Sequence, residues 1–132
     1  MINVGTFLKV SDNSGARFAS CIKIYGNNNL RPVGVGSIIL VAIKRAIPKE
    51  RQLNRINKRR KIVKGTIYKA VVIRIRKNIR RVTGEYLSFG DNAIVLLKDP
   101  ETLLCTRVLG PVSYELRKLG FSKVISLARG IF

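Results

Sequence analysis

The sequence predicts a mainly β protein: a small β-barrel with a basic arm and a short helical C-terminal region. Three observations support this fold class. Short runs alternate apolar and polar residues, turns rich in Gly and Asn separate the runs, and helical spacing is confined to residues 112–132. Five or six short strands are too few to fill the two full sheets of a sandwich, which favours a barrel. At 132 residues the chain is expected to be one domain, residues 1–132.

The strands follow from this alternation in chain order. Turn-forming stretches such as DNSG and GNNN separate the early strands, and Pro48 ends the third because proline cannot donate a hydrogen bond to a ladder. In the second strand, the alternation assigns Phe18, Ile22 and Ile24 to one face. The predicted strands are residues 6–11, 17–25, 37–47, 66–76, 93–97 and 103–109, and residues 86–89 start the return of a hairpin.

The C-terminal region changes period. Residues 113–120, SYELRKLG, place Leu116 and Leu119 on one side, with Ser113 as the N-cap candidate and Gly120 at the end. Residues 122–128 repeat this spacing. Two short helical turns are therefore predicted.

Positive charge is the most unusual feature of the composition. The chain has 26 Lys and Arg against 7 Asp and Glu, a net charge of +19. Residues 44–81 hold 16 of these bases and one acid, Glu50, so they carry +15 and the rest of the chain +4. Within them, residues 49–64 are polar and densely charged, which predicts a projecting loop or two-stranded arm. Localised charge of one sign indicates a polyanionic partner, because modest charge of mixed sign is enough for solubility.

The segment KAVVIRIRKNIRR combines strand-like alternation with this charge and contains no acid. The alternation assigns Val71, Ile73 and Ile75 to the core. It assigns Arg74 and Arg76 to the opposite, exposed face. A solvated face that binds nothing is the alternative, but exposed charge usually comes mixed in sign. The face is therefore predicted to contact phosphates.

Several other classes of protein are disfavoured. The longest strongly apolar run, residues 37–43, is far shorter than the roughly 20 residues of a membrane-spanning helix. The N-terminus lacks the basic n-region of a signal peptide and the arginines of a transit peptide, so no targeting segment is expected. Cys21 and Cys105 are predicted to be small buried hydrophobic residues in a reducing compartment, since neither a CxxC spacing nor a histidine is present.

Catalysis also has little support in the residues. Without histidine there is no Ser-His or Cys-His pair, and no GxxxxGK loop appears. Asp99 and Glu101, the closest acids, flank Pro100 in a predicted turn. We therefore expect no enzymatic activity, no cofactor and no metal site.

Nucleic acid is the favoured polyanion, and structured RNA is favoured among nucleic acids. Double-stranded and folded RNA are recognised largely by shape and backbone, for which cations on a rigid platform suffice. The nine aromatic residues include none in residues 44–67, which counts against a single-strand binder with a stacking platform.

Motifs along nearly the whole chain resemble a known family. The run begins with Ala70 and VVI, continues after nine intervening residues with Thr83-Gly84, and then places Phe89, Asn92 and Val95-Leu96 at short fixed spacings. VSDNSGA, CIKI, VGVGSII, AIP, TRVLGPV, ELR and KVISLA follow in matching order. These motifs resemble the bacterial-type large-subunit ribosomal protein fourteen, a universal family.

The resemblance implies a five-stranded β-barrel with a projecting basic β-ribbon and a small helical C-terminal part. It implies a structural constituent of the large ribosomal subunit that binds rRNA at the intersubunit face and bridges to small-subunit rRNA. The implied neighbours are large-subunit proteins three and nineteen. A ribosome-silencing factor would be received on Thr106, Arg107 and Lys123. There are two departures from the family pattern: Thr83 replaces a usual Asp, Asn or Ser, and residues 51–61 form a longer, more basic insertion.

From these observations the predicted rRNA-binding residues are all basic. They are Arg17, Lys44, Arg45, Lys49, Arg51, Arg55, Lys58, Arg59, Arg60, Lys61, Lys64, Arg74, Arg76, Lys77, Arg80 and Arg81. The Asn-, Ile- and Lys-rich composition, the basic insertion and the lack of a presequence favour a mitochondrial ribosome, with a bacterial cytoplasm or a plastid as alternatives. The alternative function is a free-standing barrel-type RNA-binding protein or RNA chaperone.

Overall fold

The structure is a computed structural model that describes residues 1–26, 31–48, 62–99 and 102–132. Residues 49–61 of the predicted basic arm lie outside these ranges. No helix in the described ranges is long and apolar enough to cross a bilayer. The elements of the described ranges are β1 (Phe7–Val10), β2 (Ala16–Ile24), β3 (Ile38–Ala46), β4 (Ile67–Arg74), β5 (Ile79–Arg80), β6 (Tyr86–Leu87), β7 (Ala93–Asp99), β8 (Thr102–Leu103), β9 (Pro111–Val112), α1 (Glu115–Lys118), α2 (Ser122–Leu127) and β10 (Gly130–Ile131).

Five of these strands close into a barrel. β1, β2, β3, β4 and β7 pair in that order with antiparallel neighbours, and a parallel pairing of β1 with β7 closes the ring. β8 extends β7, while β5 and β6 form a separate hairpin and β9 pairs with β10. The predicted fold class is confirmed as a mainly β chain with a closed five-stranded barrel and two short C-terminal helices.

The barrel interior is filled by aliphatic side chains from all five strands, because alternate residues of each strand point inward. Ile62 is also 2% exposed within this core, which anchors the chain just before β4. The last residues of the arm predicted at 49–64 are therefore attached to the barrel. The strand residues of this core include Leu8, Val10, Ala19, Cys21, Ile24, Ile39, Val41, Ile43, Ala70, Val72, Ile94 and Leu96.

A second core lies outside the barrel wall, between β4, β7 and the C-terminal region. Here the outward-facing residues of two strands are covered by the helices, so both strands are buried on both faces. This explains why residues 70–73 of β4 and residues 93–97 of β7 are continuous apolar runs in the sequence. The second core contains Val71, Ile73, Ala93, Val95, Leu97, Cys105, Val108, Val112, Leu116, Val124 and Ile125.

A β-bulge in β4 overturns one prediction about its faces. Val72 pairs with Ile94 and Arg74 with Ala93, so Ile73 is an extra residue opposite β7. After the bulge the alternation is reversed. Ile75 joins the barrel core, whereas Ile73 lies in the second core. The prediction that Arg74 points outward is wrong: its side chain is turned toward the C-terminal region and the residue is 5% exposed.

Register shifts in β2 change a second prediction. The pairing with β3 shifts between Cys21 and Lys23, and this irregularity separates Ile22 from Ile24. Ile24 is buried, but Ile22 and Phe18 are exposed. The predicted common face of these three residues is therefore wrong.

The C-terminal helices are shorter than predicted. Tyr114, not Ser113, occupies the N-cap of α1 and forms no side-chain cap hydrogen bond. The hydroxyl of Ser113 donates instead to Oε2 of Glu115. Ile131 in β10 pairs with Val112, which returns the end of the chain to the start of this region.

Candidate nucleic-acid interface

Basic residues converge where β2, β3 and the approach to β4 meet. The amide of Ile47 donates to the Gly15 carbonyl at 2.7 Å, which holds the end of β3 beside the start of β2. The Gly65 amide donates to the Ile43 carbonyl at 2.8 Å, and the Ile43 amide donates to the Thr66 carbonyl at 2.9 Å. These two bonds hold the turn before β4 beside β3. Four exposed cations belong to these segments and form what we call the arm-root cluster: Arg17, Lys44, Arg45 and Lys64.

The positive charge continues across the strands. Arg45 on β3 pairs with Phe18 on β2, and Phe18 pairs with Lys9 on β1. All three side chains lie on the outer face of the barrel, since the residues that flank Lys9 are buried and Lys9 itself is exposed. Lys9 was not selected from the sequence. Its signal was the alternation of β1, which places it outward, but only the strand pairing shows which residues adjoin it.

The turn before β7 connects Lys9 to Arg76. The Lys9 ammonium lies 3.7 Å from Oδ2 of Asp91, and the Arg76 Nε donates to the Gly90 carbonyl at 2.9 Å. The Arg76 amide donates to Oδ1 of Asn92, also at 2.9 Å. The arm-root cluster, Lys9 and Arg76 together form a band of exposed cations that we call the basic stripe. With strands about 4.8 Å apart, it extends about 15 to 20 Å around the barrel.

Arg74 has a different role. Its guanidinium donates to Oδ1 of Asp91 at 2.9 Å, to the Leu109 carbonyl at 2.9 Å and to the Pro111 carbonyl at 3.0 Å. It also donates to the hydroxyl of Ser11. The planar guanidinium thus joins the barrel to the C-terminal region, and no side of it is open to a phosphate. We leave Arg74 out of the interface.

Arg81 is also engaged within the protein. Its Nε donates to Oε1 of Glu115 at 2.8 Å, and its Nη2 donates to the Phe132 carbonyl. The hydrogen bond to Glu115 raises the pKa of Arg81. Burial favours the neutral form of Glu115, but hydrogen bonds from Arg81 and Ser113 outweigh it and lower the pKa of this carboxyl. The pair attaches the β5–β6 hairpin to α1.

The predicted residues therefore divide into three groups. Arg74 and Arg81 hold the protein together, and Lys49, Arg51, Arg55, Lys58, Arg59, Arg60 and Lys61 lie outside the described residues. The remaining residues are exposed, and most of them belong to or adjoin the basic stripe. They are Arg17, Lys44, Arg45, Lys64, Arg76, Lys77 and Arg80.

The side chain of Asn13 fixes the loop that contains Thr106 and Arg107. Its Oδ1 accepts hydrogen bonds from the backbone amides of both residues, at 3.1 and 3.2 Å, and its Nδ2 donates to Oγ1 of Thr106 at 2.7 Å. Val108 and Val124 share the second core, which brings this loop to the segment that contains Lys123. Thr106, Arg107 and Lys123 are exposed on these two segments.

The sequence of the whole chain was compared with models of known families. The model described as ribosomal protein L14p/L23e matches residues 1–132. The chain belongs to this family. As an L14p/L23e protein it is a structural component of the large ribosomal subunit, it binds rRNA and it resides on the ribosome. The role of the family is structural rather than catalytic.

Proposed function

We propose that this protein binds large-subunit rRNA through the basic stripe, lies at the intersubunit face and contributes a bridge to small-subunit rRNA. The basic stripe carries this proposal. It places cations from three strands and two turns on a rigid barrel wall. A rigid array of this kind suits the backbone of folded RNA, which is recognised by shape and phosphate position.

The local charges support binding by the stripe. Strands β1 to β4 contain no Asp or Glu. Asp91, the acid at the end of the stripe, already accepts hydrogen bonds from Arg74, so it offers little repulsion to a phosphate. The predicted contacts of the arm residues, from Lys49 to Lys61, extend the proposal beyond the described residues.

The β5–β6 hairpin supports the second contact. Strand β5 carries the exposed Arg80, and the turn after it carries the fully exposed Val82, far from the arm-root cluster along β4. The arm-root cluster and the hairpin are therefore distant parts of one basic surface, which can contact two RNAs at once. We propose that the stripe binds the large-subunit rRNA and that the hairpin contributes to the bridge.

Protein neighbours form a further part of the proposal. Large-subunit proteins three and nineteen would pack alongside, and a ribosome-silencing factor would contact Thr106, Arg107 and Lys123. The Asn13 hydrogen bonds support the contact with the silencing factor. They hold the loop of Thr106 and Arg107 in one conformation before the partner arrives and so reduce the entropy lost on binding.

For the compartment we propose the mitochondrial matrix, on the strength of the Asn-, Ile- and Lys-rich composition and the basic insertion at residues 51–61. Fractionation of cells that express a tagged chain is the test. Co-sedimentation with mitochondrial large-subunit rRNA is expected, and recovery with a bacterial or plastid particle would assign the protein elsewhere.

Particle association tests the stripe. A variant with Arg45→Glu and Lys64→Glu should be lost from large-subunit particles on a sucrose gradient at moderate salt. The matched control, Lys118→Glu with Arg129→Glu, changes the same charge on exposed C-terminal residues and should remain bound. Equal retention of both variants would overturn the stripe, and a large free pool of the unmodified chain would favour a free-standing RNA-binding protein.

The bridge has a separate test. Arg80→Glu should leave incorporation into the large subunit intact but lower the fraction of coupled subunits. If coupling is unchanged, the hairpin does not contribute to the bridge.

A further inference from the structure

An exposed apolar surface lies beside the basic stripe on the outer wall of β1 to β4. Phe7 is 67% exposed, Ile67 58% and Phe18 40%, and Ile22 and Tyr25 are also exposed. We call these five residues the aromatic face. Single exposed apolar residues are ordinary, but five of them on and beside neighbouring strands of one sheet indicate a binding surface.

The strand pairing places these residues in neighbouring rows. Phe7 on β1 pairs with Ser20, Ser20 with Ala42 on β3, and Ala42 with Ile67 on β4. The two small central residues leave a shallow floor between Phe7 and Ile67, about 14 Å across at 4.8 Å per strand. Phe18 lies two residues from Ser20 along β2, so Phe7 and Phe18 are diagonal neighbours, roughly 7 to 8 Å apart.

Cations surround the aromatic face. Lys9 and Arg45 flank Phe18 in the adjoining row of the stripe. At the opposite margin, the ammonium groups of Lys23 and Lys69 lie 5.6 and 5.1 Å from the centroid of the Tyr25 ring. The four strands of this wall contain no acid. Although residues 44–67 contain no aromatic residue, strand pairing brings Phe18 beside Arg45. Rings on a sheet with cations on both sides are the combination that single-stranded nucleic acid binds.

We propose that the aromatic face binds unpaired nucleotides of the rRNA. Bases stack on Phe7 and Phe18 above the floor of Ser20 and Ala42, while their phosphates contact Lys9 and Arg45 on one side. The inference rests on the proposed function and deepens it, because it assigns paired RNA to the stripe and unpaired RNA to the neighbouring sheet, with Lys9 and Arg45 at the border contacting phosphates of both. A helix cannot use this face except at its ends, since its bases are already stacked on one another.

The charge of the chain argues against a second copy as the occupant. Two chains of +19 would have to bring lysine-rimmed faces together with no acid on either sheet to compensate. An RNA strand supplies both the flat apolar surfaces and the negative charge that this face lacks.

Two RNA probes separate the aromatic face from the stripe. One is an unstructured RNA of about 12 nucleotides, within the site sizes of single-strand binders, and the other is its blunt duplex. The double variant Phe7→Ala and Phe18→Ala should bind the single strand about 5- to 150-fold more weakly, the range that one stacked base contributes. Its affinity for the duplex should be unchanged. Phe132→Ala, another exposed phenylalanine, is the matched control and should bind both probes normally.

The charge variant Arg45→Glu and Lys64→Glu distinguishes the two proposals, because it should weaken binding of both probes. If the aromatic variant binds both probes like the unmodified chain while the charge variant does not, the stacking inference fails and the stripe stands. If the charge variant also binds normally, the proposed function fails as well. The aromatic variant should keep a cooperative thermal transition with only a small drop in midpoint, since Phe7 is 67% and Phe18 40% exposed.

A fluorescent variant reports stacking directly. The chain has no tryptophan, so Phe7→Trp introduces a single indole at the aromatic face. The single strand should quench its emission and the duplex should not. Absence of quenching by the single strand would overturn the inference. So would a dimer of the free protein, seen by sedimentation, that the Phe7→Ala and Phe18→Ala variant disperses.

Discussion

The Nε of Arg74 donates to Oδ1 of Asp91 at 2.9 Å, and the two residues lie 17 positions apart in the sequence. The same guanidinium reaches two carbonyls of the C-terminal region, at Leu109 and Pro111. Two residues later in the chain, Arg76 is exposed at the end of the basic stripe. Neighbouring arginines in one basic segment therefore have opposite roles: one stabilises the fold and the other is available to RNA.

This difference predicts opposite phenotypes for two substitutions. Arg74→Ala should destabilise the protein by about 3 kcal/mol, the lower end of the range for breaking a buried ion pair, because Asp91 keeps some contact with solvent. Arg76→Ala should leave the urea midpoint nearly unchanged. It should reduce the slope of log RNA affinity against log salt concentration by about 0.7 to 0.9, the value for one lost phosphate contact. An equal loss of stability in both variants would contradict this assignment.

Arg74→Lys should not rescue Arg74→Ala. A lysine ammonium cannot reach one carboxylate and two carbonyls in the planar arrangement of a guanidinium. Urea unfolding of the three proteins is the measurement, and full recovery by lysine would show that charge alone suffices at this position.

Gly110 is restricted by the same guanidinium. It has φ +80°, and a Cβ at this position would lie 2.8 Å from Nη1 of Arg74. Gly65 has φ +90° but its Cβ would meet no described atom within 4 Å, which makes it the matched control. Gly65→Ala should cost about 1 to 2 kcal/mol from left-handed backbone strain. Gly110→Ala should cost measurably more, because the hydrogen bonds of Arg74 must also shift. Equal losses in thermal unfolding would mean that the guanidinium moves aside freely.

The second core should be as sensitive as the barrel interior. Val95 lies on β7 and is fully buried in the second core, against the C-terminal region. Val95→Asp should cost several kcal/mol against a total stability of about 5 to 15, because it buries an unpaired carboxylate. Val82→Asp adds the same charge at a fully exposed position and should be tolerated. Cooperative thermal unfolding of both variants at similar temperatures would mean that the second core contributes little.

The Arg81–Glu115 pair predicts a dependence of stability on pH. Because the pKa of Glu115 is lowered in the folded protein, its contribution is present above its ordinary value of 4.5 and is lost as the pH falls through the folded value. Burial raises the pKa of Asp12, so that group acts in the opposite direction. The difference in melting temperature between the unmodified chain and Glu115→Gln isolates the pair. It should be positive at neutral pH and shrink towards zero as the pH falls below 4.5, the ordinary pKa of this carboxyl. A difference that does not change with pH would rule out a charge effect.

Much of the fold could be predicted from local patterns. The alternation in residues 66–76, the apolar run in residues 93–97 and the turn residues between strands indicated a small barrel. The change of period after Pro111 indicated the short helices, and the concentration of bases in residues 44–81 indicated an RNA partner. Each of these signals belongs to a few consecutive residues, because strand alternation and turn preference act over such distances.

The faces of β2 and β4 could not be predicted in the same way. A bulge at Ile73 and register shifts in β2 depend on what each strand pairs with, and a one-residue shift moves the following side chains to the other face. Ser113 and Glu115 likewise show that a capping pattern can be overridden by a tertiary contact, here with Arg81.

The β class, the family motifs and the sign and position of the charge follow from the order of the residues alone. Which cations are exposed, and which neighbours they have, depends on how the strands pair. Lys9, Phe18 and Arg45 are adjacent because three strands pair, although Lys9 and Arg45 are far apart in the chain. Phe7 and Ile67 lie in the same row for the same reason. Hydrogen bonds between strands place these residues together, and no local pattern records those bonds.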